Sequence, residues 1–127
     1  MGLKAFVINM DYNPGRLQLM QRQLARFPFE FVRVHGITPE EGPAYGLKGH
    51  SPLRSLIANR RRLLPGQIGC TYSHLWIYHQ IVRENLPGAL VFEDDAMLDE
   101  SFGDRVNDVL RTADATRPQL YLFSCVE

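Results

Sequence analysis

The sequence lacks an excess of charge of either sign. Among its 127 residues, 14 Lys and Arg balance 14 Asp and Glu, so the formal net charge is zero. That balance excludes the broad positive field that gathers a nucleic acid, and any membrane contact has to come from a local patch. Long apolar runs are also missing. The first, Ala5-Phe6-Val7-Ile8, stops at Asn9, which is too short for a signal-peptide core or a membrane span. Cysteine is scarce: Cys70 and Cys125 are the whole supply, too few for a disulfide framework. A cytoplasmic, reduced protein with both thiols free is the expectation. Each cysteine falls in a predicted helix or strand and reads as a small packing residue. Also absent are Gly-x-Gly-x-x-Gly, a Walker-type Gly-Lys-Ser/Thr and a Gly-x-Ser-x-Gly elbow. The usual signatures of dinucleotide, P-loop and hydrolase sites are thereby excluded.

What is present is an ordinary globular balance, 45% hydrophobic and 22% charged, in a chain of single-domain length. Residues 4–9, KAFVIN, form a continuous apolar run suited to a strand covered on both faces. Asn13-Pro14 then reads as an N-cap with proline in the first turn. Leu17, Met20, Leu24 and Phe27 recur at helical spacing until Pro28. Residues 29–34, FEFVRV, alternate and predict a second strand. Residues 35–64 form an irregular, basic excursion, rich in proline and glycine up to residue 53. Its end, residues 54–64, reads as a short helix bearing Arg60, Arg61 and Arg62. That run is either a solvated face or an anion contact.

A long helix is expected over residues 68–85. Ile68, Tyr72, Leu75, His79 and Val82 share one face, flanked by Trp76, Tyr78 and Ile81. So broad an apolar band suggests burial over much of the circumference. Its start holds half a capping box, with Gln67 able to reach back but Leu64 unable to cap. Residues 89–92 give a third strand. Asp99 then looks like the N-cap of an amphipathic helix carrying Phe102, Val106 and Leu110. Residues 119–126, QLYLFSCV, read as a fourth strand. This alternation predicts an α/β fold, a three-layer α/β/α arrangement on a mostly parallel sheet.

Ligands of open α/β sheets bind beyond the carboxyl ends of the strands. Two polar clusters fall there. One is Asn9, Asp11, Asn13 and Arg16 after the first strand. The other is Glu93-Asp94-Asp95 after the third. In extended backbone Glu93 and Asp95 project to one side and Asp94 to the other. Two carboxylates on one side suit Mg²⁺ or Mn²⁺. A turn in which one acid caps the next helix and the others are solvated fits the same spacing. His74 and His79 are five apart, so they are no metal pair on a helix. His74 alone reads as a hydrogen-bonded core residue or as a catalyst. Ser73 and His74 are neighbours that point apart, so they make no nucleophile–base pair, and no spacing assigns a general base.

At this point the chain resembles a known family. FVINMDYNPGRLQLMQRQL is similar to the opening of glycosyltransferase family 25, with Asn9-Met10 and Arg16 in the matching places. PGQIGCTYSHLWIYHQIVRENLPGALVFEDDAMLDESF follows the family pattern more closely, through Gly66-Gln67-Ile68-Gly69-Cys70, Ser73-His74 and Glu93-Asp94-Asp95. QLYLFSC resembles the strand that follows. The resemblance implies a GT-A-like nucleotide-sugar-binding half, a UDP-sugar donor, an Mn²⁺ or Mg²⁺ ion and a glycan acceptor of lipooligosaccharide. It implies galactose as the sugar, and work at the inner face of a membrane. By that analogy Asp95 and Glu93 hold the metal. Asn9, Asp11, Arg16, Ser73, His74, Glu93 and Asp94 line the donor. Leu64 stands where a capping hydroxyl is common, and Gln67 where an acid is common. Family members are roughly twice as long, as a complete α/β domain of ~200 to 250 residues would be. The expectation is thus a single truncated domain over residues 1–127. The catalytic base and acceptor contacts would belong to a further half. Residues 119–126 would then be an edge strand available for homodimerisation.

Overall fold

The structure, a computed structural model, describes residues 2–47 and 63–123. Arg60, Arg61, Arg62, Cys125 and nearly all of the expected helix at 54–64 lie outside the described residues. The described residues fall into two compact units divided after Ala96.

The first unit holds strand β1 (Lys4–Asn9), helix α1 (Pro14–Leu24), strand β2 (Glu30–His35), a 3₁₀ turn (Gly42–Tyr45), helix α2 (Pro65–Arg83) and strand β3 (Ala89–Glu93). Its sheet runs β2-β1-β3, parallel throughout. The predicted α/β fold with a parallel sheet is therefore the observed one. Ile8 pairs with Val34 on one side and Glu93 on the other, so all three strands end along one edge.

Strand alternation divides the sheet into two packed faces. Phe6, Val34 and Ile77 are buried together, with Ile8, Val32, Val91, Trp76 and Ile81 around them, and this is the face under α2. Burying a side chain the size of Ile77 stabilises the fold by about 1.5–3 kcal/mol. Ala5 and Val7 are sealed on the opposite face, where α1 buries Met20 and Leu24. Leu24 and Phe31 of β2 border a common hollow there. The central strand is thus apolar on both sides, as its unbroken run requires.

Helix α2 corrects the sequence reading. It buries Gly69, Ser73, Ile77 and Gln80, whereas Leu75, His79 and Val82 are exposed. Over its first turns the contact face is chosen by closeness of approach, and Ile77 then fills the core. A Cβ on Gly69 would sit 2.7 Å from the Ile37 carbonyl oxygen. Only glycine lets the helix come that near. One turn on, the Ser73 hydroxyl accepts the Ile37 N–H at 2.8 Å and donates to the Gly69 carbonyl at 2.9 Å. The helix start matches expectation: Gln67 Oε1 accepts the Leu64 N–H at 2.8 Å, and Leu64, having no acceptor, leaves the box half made.

The second unit contains helix α3 (Phe102–Thr112). Its N-cap position is Ser101, not Asp99. Asp99 instead accepts from the Ser101 hydroxyl at 2.8 Å and pairs with Arg105. Helix α3 buries Phe102 and Val106, and Phe123 meets Phe102 edge-on at 5.4 Å. The expected fourth strand is not found in the described part of 119–126. Residues 119–123 carry no strand, and Leu120 and Leu122 are exposed. Alternation marks a segment able to be a strand, but pairing needs a neighbour that pattern alone does not name. No helix among the described residues is long and apolar enough to cross a membrane.

Candidate functional site

The strand ends of the first unit carry two groups of polar side chains, one on each face. On the α1 face Asp94 is only 8% exposed. Its Oδ2 accepts from Asn9 Nδ2 at 2.7 Å, and its Oδ1 lies 3.6 Å from the Arg16 guanidinium. Asn9 is buried and fully engaged. Its amide also donates to the Asn13 carbonyl at 2.9 Å, and its Oδ1 accepts from Arg33 Nε at 3.2 Å. One asparagine thereby ties β1, β2, β3 and the α1 entry turn together. Arg33 continues the chain of contacts to Asp11 at 2.5 Å. Arg33 and then His35 hold the Asp11 carboxyl below its usual range.

On the α2 face Glu93 is exposed, as its alternation with Asp94 requires. Cys70 Sγ donates to Glu93 Oε1 at 3.1 Å, and His74 Nε2 lies 3.6 Å from the same oxygen. Cys70 and His74 are one turn apart on α2, so both reach one carboxylate. The three ligand-type atoms lie within 4.8 Å of one another. Burial, helped by the bond to Glu93 and the charges of Glu93 and Asp95, pushes the Cys70 thiol up to about 11. Cys70 is a free, half-buried thiol that donates to Glu93, rather than the buried apolar packing residue the sequence suggests. A helical Cys-x-x-x-His was the legible signal for this pairing.

Between these groups opens a hollow of about 500 Å³. Its described lining includes Arg16, Ser73, Cys70, Glu93 and Asp94, with Pro65 and Gly66 from the amino end of α2. Ile8, Met10 and Ile37 supply an apolar wall, and Tyr12 stands at the rim, exposed. Of the residues expected from sequence, Arg16, Ser73, Glu93 and Asp94 reach this hollow. Asn9 braces it from behind, and His74 adjoins it through Glu93. Asp11 turns instead toward β2, and Asp95 is exposed beside Glu93 in the turn after β3.

The loop after β2 forms another wall. Thr38 and Glu41 make a reciprocal capping box: the Thr38 N–H donates to Glu41 Oε1 at 3.2 Å, and Thr38 Oγ1 accepts the Glu41 N–H at 3.3 Å. The spacing Thr-x-x-Glu before Gly42–Tyr45 was the readable sign. His35 Nε2 meets Glu41 at 2.9 Å, and Nδ1 meets Asp11 at 3.4 Å. Glu41 first, then Asp11, raise the His35 pKa against the opposing effect of burial.

A sequence profile described as glycosyltransferase family 25 (LPS biosynthesis protein) matches residues 3–126. The chain belongs to glycosyltransferase family 25. Within the family it is 33% identical over 57 residues to the human "Inactive glycosyltransferase 25 family member 3", a match covering 45% of this chain and 10% of that protein. The bovine "Probable inactive glycosyltransferase 25 family member 3" is 32% identical over the same length and shares. The matched region thus spans about a tenth of these curated relatives.

Proposed function

We propose that the hollow binds the diphosphate of a UDP-sugar and that the protein transfers the sugar, galactose, to a glycan acceptor of lipooligosaccharide at the inner face of a membrane. One observation carries this reading. In a glycosyltransferase-family chain, Glu93 and Asp95 are exposed while Asp94 between them is buried and engaged. The two outer acids fit Mn²⁺ or Mg²⁺, hard cations that take carboxylate oxygen and leave positions for phosphate. Such an ion, when bound, supplies positive charge to the departing UDP.

The chain's own residues do the rest. Arg16, half exposed at the hollow, is placed to pair with phosphate oxygens. The amino end of α2 adds its positive dipole. Asp94 holds Arg16 in place, and Asn9 holds Asp94. The apolar wall of Ile8, Met10 and Ile37 excludes water from one side.

Calorimetric titration of UDP with and without Mn²⁺ tests the donor site. The expected result is binding heat that requires Mn²⁺ and disappears in Asp95→Ala. Metal-independent binding, or no binding, would overturn the reading. A second reading has the chain bind donor and metal but transfer nothing. The names of its human and bovine relatives, both "inactive", favour it. Release of UDP that depends on added acceptor glycan separates the two.

A further inference from the structure

Glu93 also belongs to a second, chemically different group. Cys70 offers sulfur, His74 offers imidazole nitrogen and Glu93 offers carboxylate oxygen, all within 4.8 Å. The two separations to Glu93 Oε1 are 3.1 Å for Cys70 Sγ and 3.6 Å for His74 Nε2. Bond lengths of ~2.0–2.3 Å at tetrahedral angles put ligand atoms roughly 3.3–3.7 Å apart. The His74 spacing lies within that range and the Cys70 spacing falls just short of it, so a small side-chain adjustment completes the set. Two ligands one helical turn apart and a third at a strand end also fix the geometry from rigid elements.

We propose that Cys70, His74 and Glu93 form a binding site for a zinc-class transition metal. The donor set decides the class. Thiolate and imidazole favour Zn²⁺ over Mn²⁺ and Mg²⁺, which prefer oxygen. On binding, the Cys70 S–H bond breaks, sulfur keeps the electron pair to ligate the ion, and the proton passes to solvent. Three protein ligands leave a fourth position, as in zinc sites that bind a further group. Cys70 and Glu93 border the hollow, so a site held by them lies at its edge. Zinc there would draw Glu93 away from a partnership with Asp95, and so oppose Mn²⁺-dependent UDP binding.

The metal alone is the probe, so the outcome does not depend on the donor reading. Full-length chain in a Cys125→Ser background is titrated with Zn²⁺ against a chromophoric chelator, and with Co²⁺ under absorption spectroscopy. Expected results are one Zn²⁺ per chain and a thiolate-to-cobalt charge-transfer band. Cys70→Ser should remove the band and weaken Zn²⁺ binding by about tenfold or more. His74→Ala should weaken it similarly, and Asp95→Ala should leave it unchanged. Circular dichroism of each variant confirms that loss of metal is not loss of fold. Absence of Zn²⁺ binding by the parent chain would overturn the proposal. So would a cobalt complex lacking the thiolate band, or a zinc affinity that follows Asp95 rather than Cys70. Should Zn²⁺ bind as expected while UDP shows no Mn²⁺-dependent heat, the donor reading fails and this site stands.

Discussion

Glu93 and Asp94 are adjacent at the end of β3, and the sheet sends them into two different environments. Asp94 goes to the α1 face, where Asn9 and Arg16 meet it and Arg33 closes the network behind. Glu93 goes to the α2 face, where an exposed carboxylate faces a thiol and an imidazole. One group has its hydrogen-bonding capacity spent on holding strands together. The other keeps capacity for a ligand. A triplet of acids that looks uniform in sequence is therefore divided by alternation into a brace and an exposed edge.

The sharpest way to break this comparison is to remove each acid in turn. Asp94→Ala strands the Asn9 amide beside a lost acceptor. It should destabilise the chain by about 2–3 kcal/mol in denaturant titration. The same titration on Ser73→Ala should show a loss of about 1–2 kcal/mol, because the buried Ile37 N–H loses its partner. If Ser73→Ala weakened UDP binding without changing stability, Ser73 would belong to the exposed edge instead. Gln67→Ala, which removes half a capping box from α2, should cost about 0.5–1 kcal/mol. Glu93→Ala should change stability by less than about 0.5 kcal/mol. A loss as large as that of Asp94→Ala would erase the distinction.

The smallest expected effect is a pH dependence at the loop wall. The His35 pKa is raised above its ordinary 6.5 by Glu41 and Asp11. Its contribution is thus fully present below that value and is lost as pH rises through the higher folded-state value. The denaturant midpoint should fall over that window, and His35→Gln should flatten the fall. A midpoint that rises with pH in the parent chain alone would contradict the assignment. Asp11 and Glu41 carry the opposite sign. Their pKa values are lowered, so their contribution is present above the ordinary carboxylate range and is lost as pH falls below it.

Much of the scaffold could be read in the chain itself. The run Ala5-Phe6-Val7-Ile8 announced a strand covered on both faces, and β1 is the central strand of the sheet. Asn13-Pro14 marked the α1 entry, although the Asn13 side chain makes no cap bond. The opposite projections of Glu93 and Asp94 followed from strand alternation alone. Helix α2 was harder because apolar residues surround it. Periodicity weighs large side chains, whereas the contact face joins Ile77 to Gly69 and Ser73, whose value lies in being small. The engagement of Asn9 with Asp94 joins residues 85 positions apart. Only the parallel register of β1 and β3 brings them together. Cys70 was legible as a thiol but not as a neighbour of Glu93, since that closeness comes from the seating of a helix on a sheet.

The contact at Gly69 has a mechanical consequence. Helical residues advance about 100° in azimuth per position, so pinning one residue sets the compass bearing of all that follow. Gly69 against the Ile37 carbonyl is that pin, and Cys70 is the next bearing round. One residue inserted between Gly69 and Cys70 would rotate the thiol and imidazole away from β3 while leaving composition, hydropathy and helix length almost unchanged. The heading of Cys70 and His74 is thus kept by an atom that is missing, the Cβ that glycine does not have.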